Sequence, residues 1–103
     1  ALFETRLRRM QRAWSGEPLD GDGEGAGLKL DPLPVQQPHP PIWVAAFGPK
    51  ALAQAGRLGL PYLASPVETL AGLVENYAVH AAAVGAAGHR PPAEVPVMRT
   101  LFV

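Results

Sequence analysis

The sequence predicts an α/β fold built on a parallel sheet, in the order helix, long loop, strand, helix, strand, helix, strand. Three observations carry that prediction. Ile42-Trp43-Val44-Ala45-Ala46 is apolar without alternation, the pattern of a strand covered on both faces. Gly48-Pro49-Lys50 then opens a helix-forming stretch, because Gly48 permits unusual backbone angles and Pro49 suits a first helical position. A second strand-then-helix pair follows from Pro61, and a third apolar run occupies 95–103. Strands alternating with helices imply parallel pairing through right-handed crossovers.

Taken in order, Phe3, Leu7, Met10 and Trp14 recur at spacings of four, three and four, one face of a helix over about residues 2–15. Trp14 and Met10 read as core anchors, and Ser15-Gly16 stops the helix. Arg6, Arg8, Arg9 and Arg12 read as its solvated side. Residues 16–41 form a long loop without helical or strand period. Gly21-Asp22-Gly23-Glu24-Gly25 is an acidic tip whose glycines do not give a calcium-loop ligand pattern. Leu28-Lys29-Leu30 alternates as a short extended piece. Pro32, Pro34, Pro38, Pro40 and Pro41 hold an extended path to the first strand. His39, set between two prolines, reads as a stiff surface residue.

The central helix runs from about Pro49 to Leu58 and Gly59 ends it. Pro61 to Ala64 is the second strand. Ser65-Pro66-Val67-Glu68 is a capping box, Ser65 being the cap and Glu68 the residue that reaches back. The helix it begins carries Val67, Leu70, Val74, Tyr77, Ala81 and Val84 on one stripe, and Gly85 and Gly88 end it. Val95 to Val103 is the third strand. Three strands leave two raw edges and too little sheet for a closed barrel.

The chain has 103 residues, 48% hydrophobic and 17% charged, with zero formal net charge, which bounds it to at most one globular domain. No apolar run is long enough to span a bilayer. Balanced charge argues against a nucleic-acid surface, which needs a clustered basic face. With no cysteine, disulfides, thiolate metal sites and cysteine nucleophiles are excluded, in keeping with a reducing cytoplasm. No second histidine or carboxylate has metal-ligand spacing to His39. The chain starts in helical periodicity at Ala1 and finishes within an apolar run, the pattern of a piece of something longer.

The turn after the central strand is the candidate site. A strand that ends at a glycine and opens a helix exposes unpaired N–H groups at the positive end of the helix dipole, where a phosphate can sit. One Gly-Pro turn is also an ordinary connection without a ligand, and local pattern by itself favours that plainer reading.

The succession Arg8-Arg9-Met10-Gln11-Arg12-Ala13-Trp14-Ser15-Gly16-Glu17-Pro18, followed by Pro34-Val35-Gln36-Gln37-Pro38-His39-Pro40-Pro41-Ile42-Trp43-Val44, resembles the bacterial luciferase-like monooxygenase family. Gly48-Pro49-Lys50-Ala51-Leu52, Arg57-Leu58-Gly59 and Val97-Met98-Arg99-Thr100-Leu101-Phe102-Val103 continue the resemblance along essentially the whole chain. The resemblance implies a (β/α)₈ TIM barrel. Its cofactor would be reduced FMN acting with oxygen, or in a sister branch a deazaflavin used for hydride transfer. The strands here would be the fifth, sixth and seventh of the barrel, making 1–103 a single incomplete domain from its C-terminal half.

The parent would then be a cytoplasmic flavin-dependent monooxygenase acting on a small organic substrate, and the segment alone would be inactive. The resemblance places the flavin phosphate at Ala46, Phe47, Gly48 and Lys50, with Ser65 on the same face of the barrel. Pro49 has no N–H to donate, no serine or threonine stands in the turn, and Phe47 is bulkier than the family's residue. Arg99 would make an ion pair buried in the barrel. No catalytic or metal residue is implied in this segment, and no nucleic-acid or membrane partner. The second reading, from another class, is a catalytically silent assembly module that forms a homo-oligomer or pairs with the missing part of the barrel.

Overall fold

The computed structural model describes residues 2–21 and 24–103, so Ala1 and the Asp22-Gly23 centre of the expected acidic tip lie outside the described residues. The chain divides into two compact units, one ending at Pro41 and one spanning Ile42–Val103.

The first unit is helix α1, Leu2–Trp14, and the loop after it. Arg6, Arg8, Arg9 and Arg12 are exposed as expected. Arg8 pairs with Glu4 one turn away at 3.1 Å, Arg12 pairs with Asp20, and Arg9 donates to the Asp20 carbonyl at 2.7 Å. The apolar stripe is less covered than its periodicity implies. Leu7 is buried and Trp14 half-buried, but Phe3 and Met10 are exposed. Among its described residues the remainder of this unit has no sheet or second helix to offer an apolar face. Leu28-Lys29-Leu30 forms no strand. The Leu19 N–H donates to the Leu28 carbonyl and the Gly27 N–H to the Leu19 carbonyl, which closes a tight loop instead. His39 is half-buried, not simply a surface residue: its ring lies 5.5 Å from that of Trp14, and Nδ1 donates to the Pro40 carbonyl.

The second unit holds the sheet. Strand β1, Val44–Ala45, pairs in parallel with β2, Tyr62–Leu63, in the register Val44 to Tyr62 and Ala45 to Leu63. Within this chain the strand is covered on one face only, where the sequence expectation has both faces covered. Val44 and Ala46 are buried, while Trp43, Ala45 and Phe47 are exposed. Alternate residues of a strand point to opposite faces. Among the described residues helices pack on one face only, so the apolar run reads as buried on that face and bare on the other.

Helices α2, Gly48–Arg57, and α3, Leu70–Ala86, pack against each other over this covered face. Val44, Ala46, Leu52, Ala55, Tyr62, Ala64 and Leu73 form the core. The two helices approach closely at Gly56, where a Cβ would stand 2.5 Å from that of Ala83 and 2.8 Å from the His80 carbonyl oxygen. Both helices end alike. Gly59 and Gly88 follow them at φ +69° and +75°, and Leu60 and His89 donate back to the carbonyls of Ala55 and Val84. His89 Nε2 then donates to the Arg57 carbonyl at 2.8 Å, tying one helix end to the other.

Three sequence expectations are corrected in this unit. The helix after β2 starts at Leu70, not at Pro66, because Thr69 is its cap and accepts from the Gly72 N–H. Of the expected stripe Val84 is buried and Tyr77 half-buried, and Leu73 and His80 are buried with them, whereas Val67, Leu70, Val74 and Ala81 are exposed and Gly85 lies within the helix. α3 is apolar nearly all round, so two stripes have the right spacing and packing selects between them. The third strand appears as one parallel bridge, Ala64 to Val97, and Met98 to Val103 are exposed without further pairing among the described residues.

Candidate functional site

The carboxyl ends of β1 and β2 lie side by side. Continuing their register by two residues sets Phe47 level with Ser65, so the turns that open after the two strands are neighbours. In the first turn Phe47 is extended at φ −118°, and Gly48 at φ +77° swings the chain into α2. Left-handed angles of that kind suit glycine. A Cβ built on Gly48 meets nothing within 4 Å, so the turn is open. Pro49 occupies the start of α2. No side chain caps the helix and no acidic residue lies in its first turn. Its amino end therefore keeps uncompensated N–H groups and positive dipole, the conditions for holding an anion. Lys50, in the same turn, is exposed.

The sequence-derived residues separate here. Phe47, Gly48 and Lys50 are exposed at the turn. Ala46 is 3% exposed with its side chain in the core, so it offers an outside group nothing but backbone. Ser65 is also buried, and its Oγ accepts from the Val67 N–H at a long 3.4 Å. Only half of the expected capping box forms: the Ser65 N–H donates to Glu68 Oε1 at 2.9 Å, while the Glu68 N–H goes to the Ser65 carbonyl at 3.2 Å. Arg99 is not in a buried ion pair. It is exposed, and its Nη1 donates to the Glu68 carbonyl at 2.6 Å.

Sequence reasoning missed what lies behind the second turn. Asn76 Nδ2 donates to Glu68 Oε2 at 2.9 Å. Tyr62 packs at 4.8 Å from Tyr77 and 5.4 Å from His80, centroid to centroid, and His80 Nε2 donates to the Leu60 carbonyl. The hydroxyls of Tyr62 and Tyr77 are buried without a hydrogen-bond partner among the described residues. Burial pushes the Tyr62 phenol up to about 12, helped by Tyr77 and by the charge of Glu68. Burial first, then Glu68, raises Tyr77 as well. The sequence stripe contains Tyr77 but neither Leu73 nor His80, and does not show that Tyr77 faces Tyr62. An apolar cleft of about 290 Å³ opens beside the same cluster, lined by Pro61, Tyr62, Tyr77, His80, Val84 and His89.

Among the described residues no group of histidines and carboxylates is arranged to hold a metal, and no helix is long and apolar enough to cross a membrane. The second unit is thus an α/β layer whose helix amino end opens beside the carboxyl ends of parallel strands.

Comparison with known proteins agrees with this architecture. The crystal structure of the monooxygenase RslO1 from Streptomyces bottropensis superposes with a TM-score of 0.72 over 92% of this chain, at 23% identity. The chain spans 30% of that protein's length. Among curated proteins no relative matches. The model of the luciferase-like monooxygenases matches residues 1–103, and the chain belongs to that family.

Proposed function

We propose that these residues are part of a flavin-dependent monooxygenase and that the Phe47–Lys50 turn holds the flavin phosphate. The observation that carries the proposal is the uncapped amino end of α2, opened by Gly48 at φ +77° at the carboxyl end of a parallel strand. Barrel enzymes place their sites on that face. The turn fits a phosphate: the space over Gly48 is free, the first helical turn carries no acid, and Lys50 adds a positive charge. FMN is the cofactor of this reading, with deazaflavin the alternative. When bound, reduced flavin supplies the oxygen chemistry. This chain's residues bind and orient it, Gly48 by leaving room, the α2 N–H groups by donating, and Lys50 by charge.

The same reading makes the segment three successive strands of a (β/α)₈ barrel. The parallel β1–β2 pair, the parallel bridge from Ala64 to Val97 and the helices confined to one face support it. The bare face would be the barrel interior, completed by strands outside these residues. A cytoplasmic location and a small organic substrate go with this proposal. Exposed Trp43, Phe47, Leu101 and Phe102 also support the second reading for the segment alone, a piece that is silent until its apolar faces are paired.

The test compares FMN with riboflavin, which lacks the phosphate, by fluorescence titration of the intact barrel protein. FMN should bind at least about tenfold more tightly, since charge-assisted contacts contribute roughly 1.5–3 kcal/mol. Gly48→Val should remove most of that difference, through a strained backbone as well as crowding. Equal affinity for the two flavins in the unsubstituted protein would sink the phosphate assignment.

A further inference from the structure

We propose that Glu68 is a positioning residue for the cofactor mouth, holding the turn after β2 in register beside the phosphate turn. This rests on the reading of Phe47–Lys50 given above. Both carboxylate oxygens and the backbone carbonyl of Glu68 are engaged, each from a different part of the fold. Oε1 accepts from the Ser65 N–H at 2.9 Å, at the exit of β2. Oε2 accepts from Asn76 Nδ2 at 2.9 Å, in α3. The carbonyl accepts from Arg99 Nη1 at 2.6 Å, in the segment beyond the parallel bridge at Val97. The Glu68 N–H closes the turn on the Ser65 carbonyl at 3.2 Å.

A capping box normally serves the helix that follows it. Here it does not, because α3 begins at Leu70 with Thr69 as its own cap. The box therefore shapes residues 65–69 alone. Continuing the β1–β2 register sets Ser65, the first of these residues, level with Phe47, so where Glu68 pins Ser65 bears on the spacing of the two turns. The pinning is indirect: Glu68 is anchored to α3 through Asn76, on the side where Tyr62 and Tyr77 feel its charge. Ser65 is held by its backbone, so the position of the turn, not a Ser65 hydroxyl contact, is what Glu68 controls.

Glu68→Gln keeps an oxygen for the Ser65 N–H, and Asn76 can reverse its amide to meet the new NH₂ group. Glu68→Ala removes both holds while leaving the α3 cap intact. In the intact barrel protein, Glu68→Ala should weaken FMN binding about tenfold, the loss of one charge-assisted hydrogen bond, and speed exchange of the Ser65 amide by a similar factor. Glu68→Gln should stay within about twofold of the original on both measurements. Asn76→Ala, which removes one anchor from a helix interior, should fall between the two and serves if Glu68→Ala does not fold. The proposal is overturned if Ser65 stays protected and FMN affinity is unchanged in Glu68→Ala and Asn76→Ala. It is equally overturned if Glu68→Gln is as damaging as Glu68→Ala. Should the unsubstituted protein not prefer FMN to riboflavin, the phosphate assignment fails, and amide exchange at Ser65 still decides whether Glu68 holds the turn.

Discussion

Tyr62 shows how much one side chain contributes at this site. It is 1% exposed, and among the described residues its buried hydroxyl has no close hydrogen-bond partner, only the neighbouring Tyr77 phenol. Its folded pKa of about 12 lies above the ordinary 10 because burial disfavours the phenolate, with Tyr77 and Glu68 adding to the effect. The sign of the linkage follows. Below pH 10 the phenol is neutral folded and unfolded, so stability is undiminished there. Between about pH 10 and 12 the unfolded chain ionises first, and stability falls as pH rises. Thermal melting across that window should show the drop, and Tyr62→Phe should shrink it. At neutral pH the same substitution should change stability by no more than about 1 kcal/mol, since the hydroxyl has at most a weak contact with the Tyr77 phenol to lose. A large loss of stability at pH 7 would mean the hydroxyl has a partner after all. None of this was legible in the sequence, where Tyr62 is one apolar residue in a short strand. Gly48 and Pro49 were legible, because their backbone restrictions act locally.

At the scale of elements, the helices follow from the chain itself and their contact does not. Helix α2 ends where Gly59 supplies a left-handed residue, and α1 ends where Gly16 does, as local chemistry requires. Helix α3 differs from the sequence expectation at its start and over part of its face. Thr69 lies four residues after Ser65, and either can cap the apolar run that follows. Val67, Leu70 and Val74 have the same periodicity as Leu73, Tyr77, His80 and Val84, and only packing against α2 and β2 separates them. That packing depends on Gly56. An added methyl there meets Ala83 and the His80 backbone at distances real contacts do not reach, so neither helix can yield cheaply. Gly56→Ala should cost about 3 kcal/mol, the upper end of overpacking effects, seen as a lower denaturation midpoint. Gly85→Ala, where a Cβ meets nothing within 4 Å, is the control and should be neutral or slightly stabilising. Equal effects from the two substitutions would contradict the close crossing.

For the molecule as a whole, the decisive feature is a sheet dressed on one side. Trp43 and Phe47 on the bare side, and Leu101 and Phe102 beyond the parallel bridge, are large apolar residues facing outward. Expressed alone, the 103-residue chain should therefore associate at micromolar concentration and bind an apolar dye, as sedimentation and dye fluorescence would register. A monomer with a sharp, dye-free unfolding transition would contradict that expectation. The amino-acid order determined the sequence of helices and strands, their parallel sense, the Gly48-Pro49 turn and the family, because turn chemistry, periodicity and motif are properties of neighbours along the chain. Tertiary structure decided which face of each strand and of α3 is buried, that Val95 to Val103 contributes one bridge rather than a strand, and that Glu68 binds the turn instead of capping the helix. Those outcomes depend on which surfaces meet in space, and an apolar run that satisfies two arrangements equally well leaves the choice to its partners.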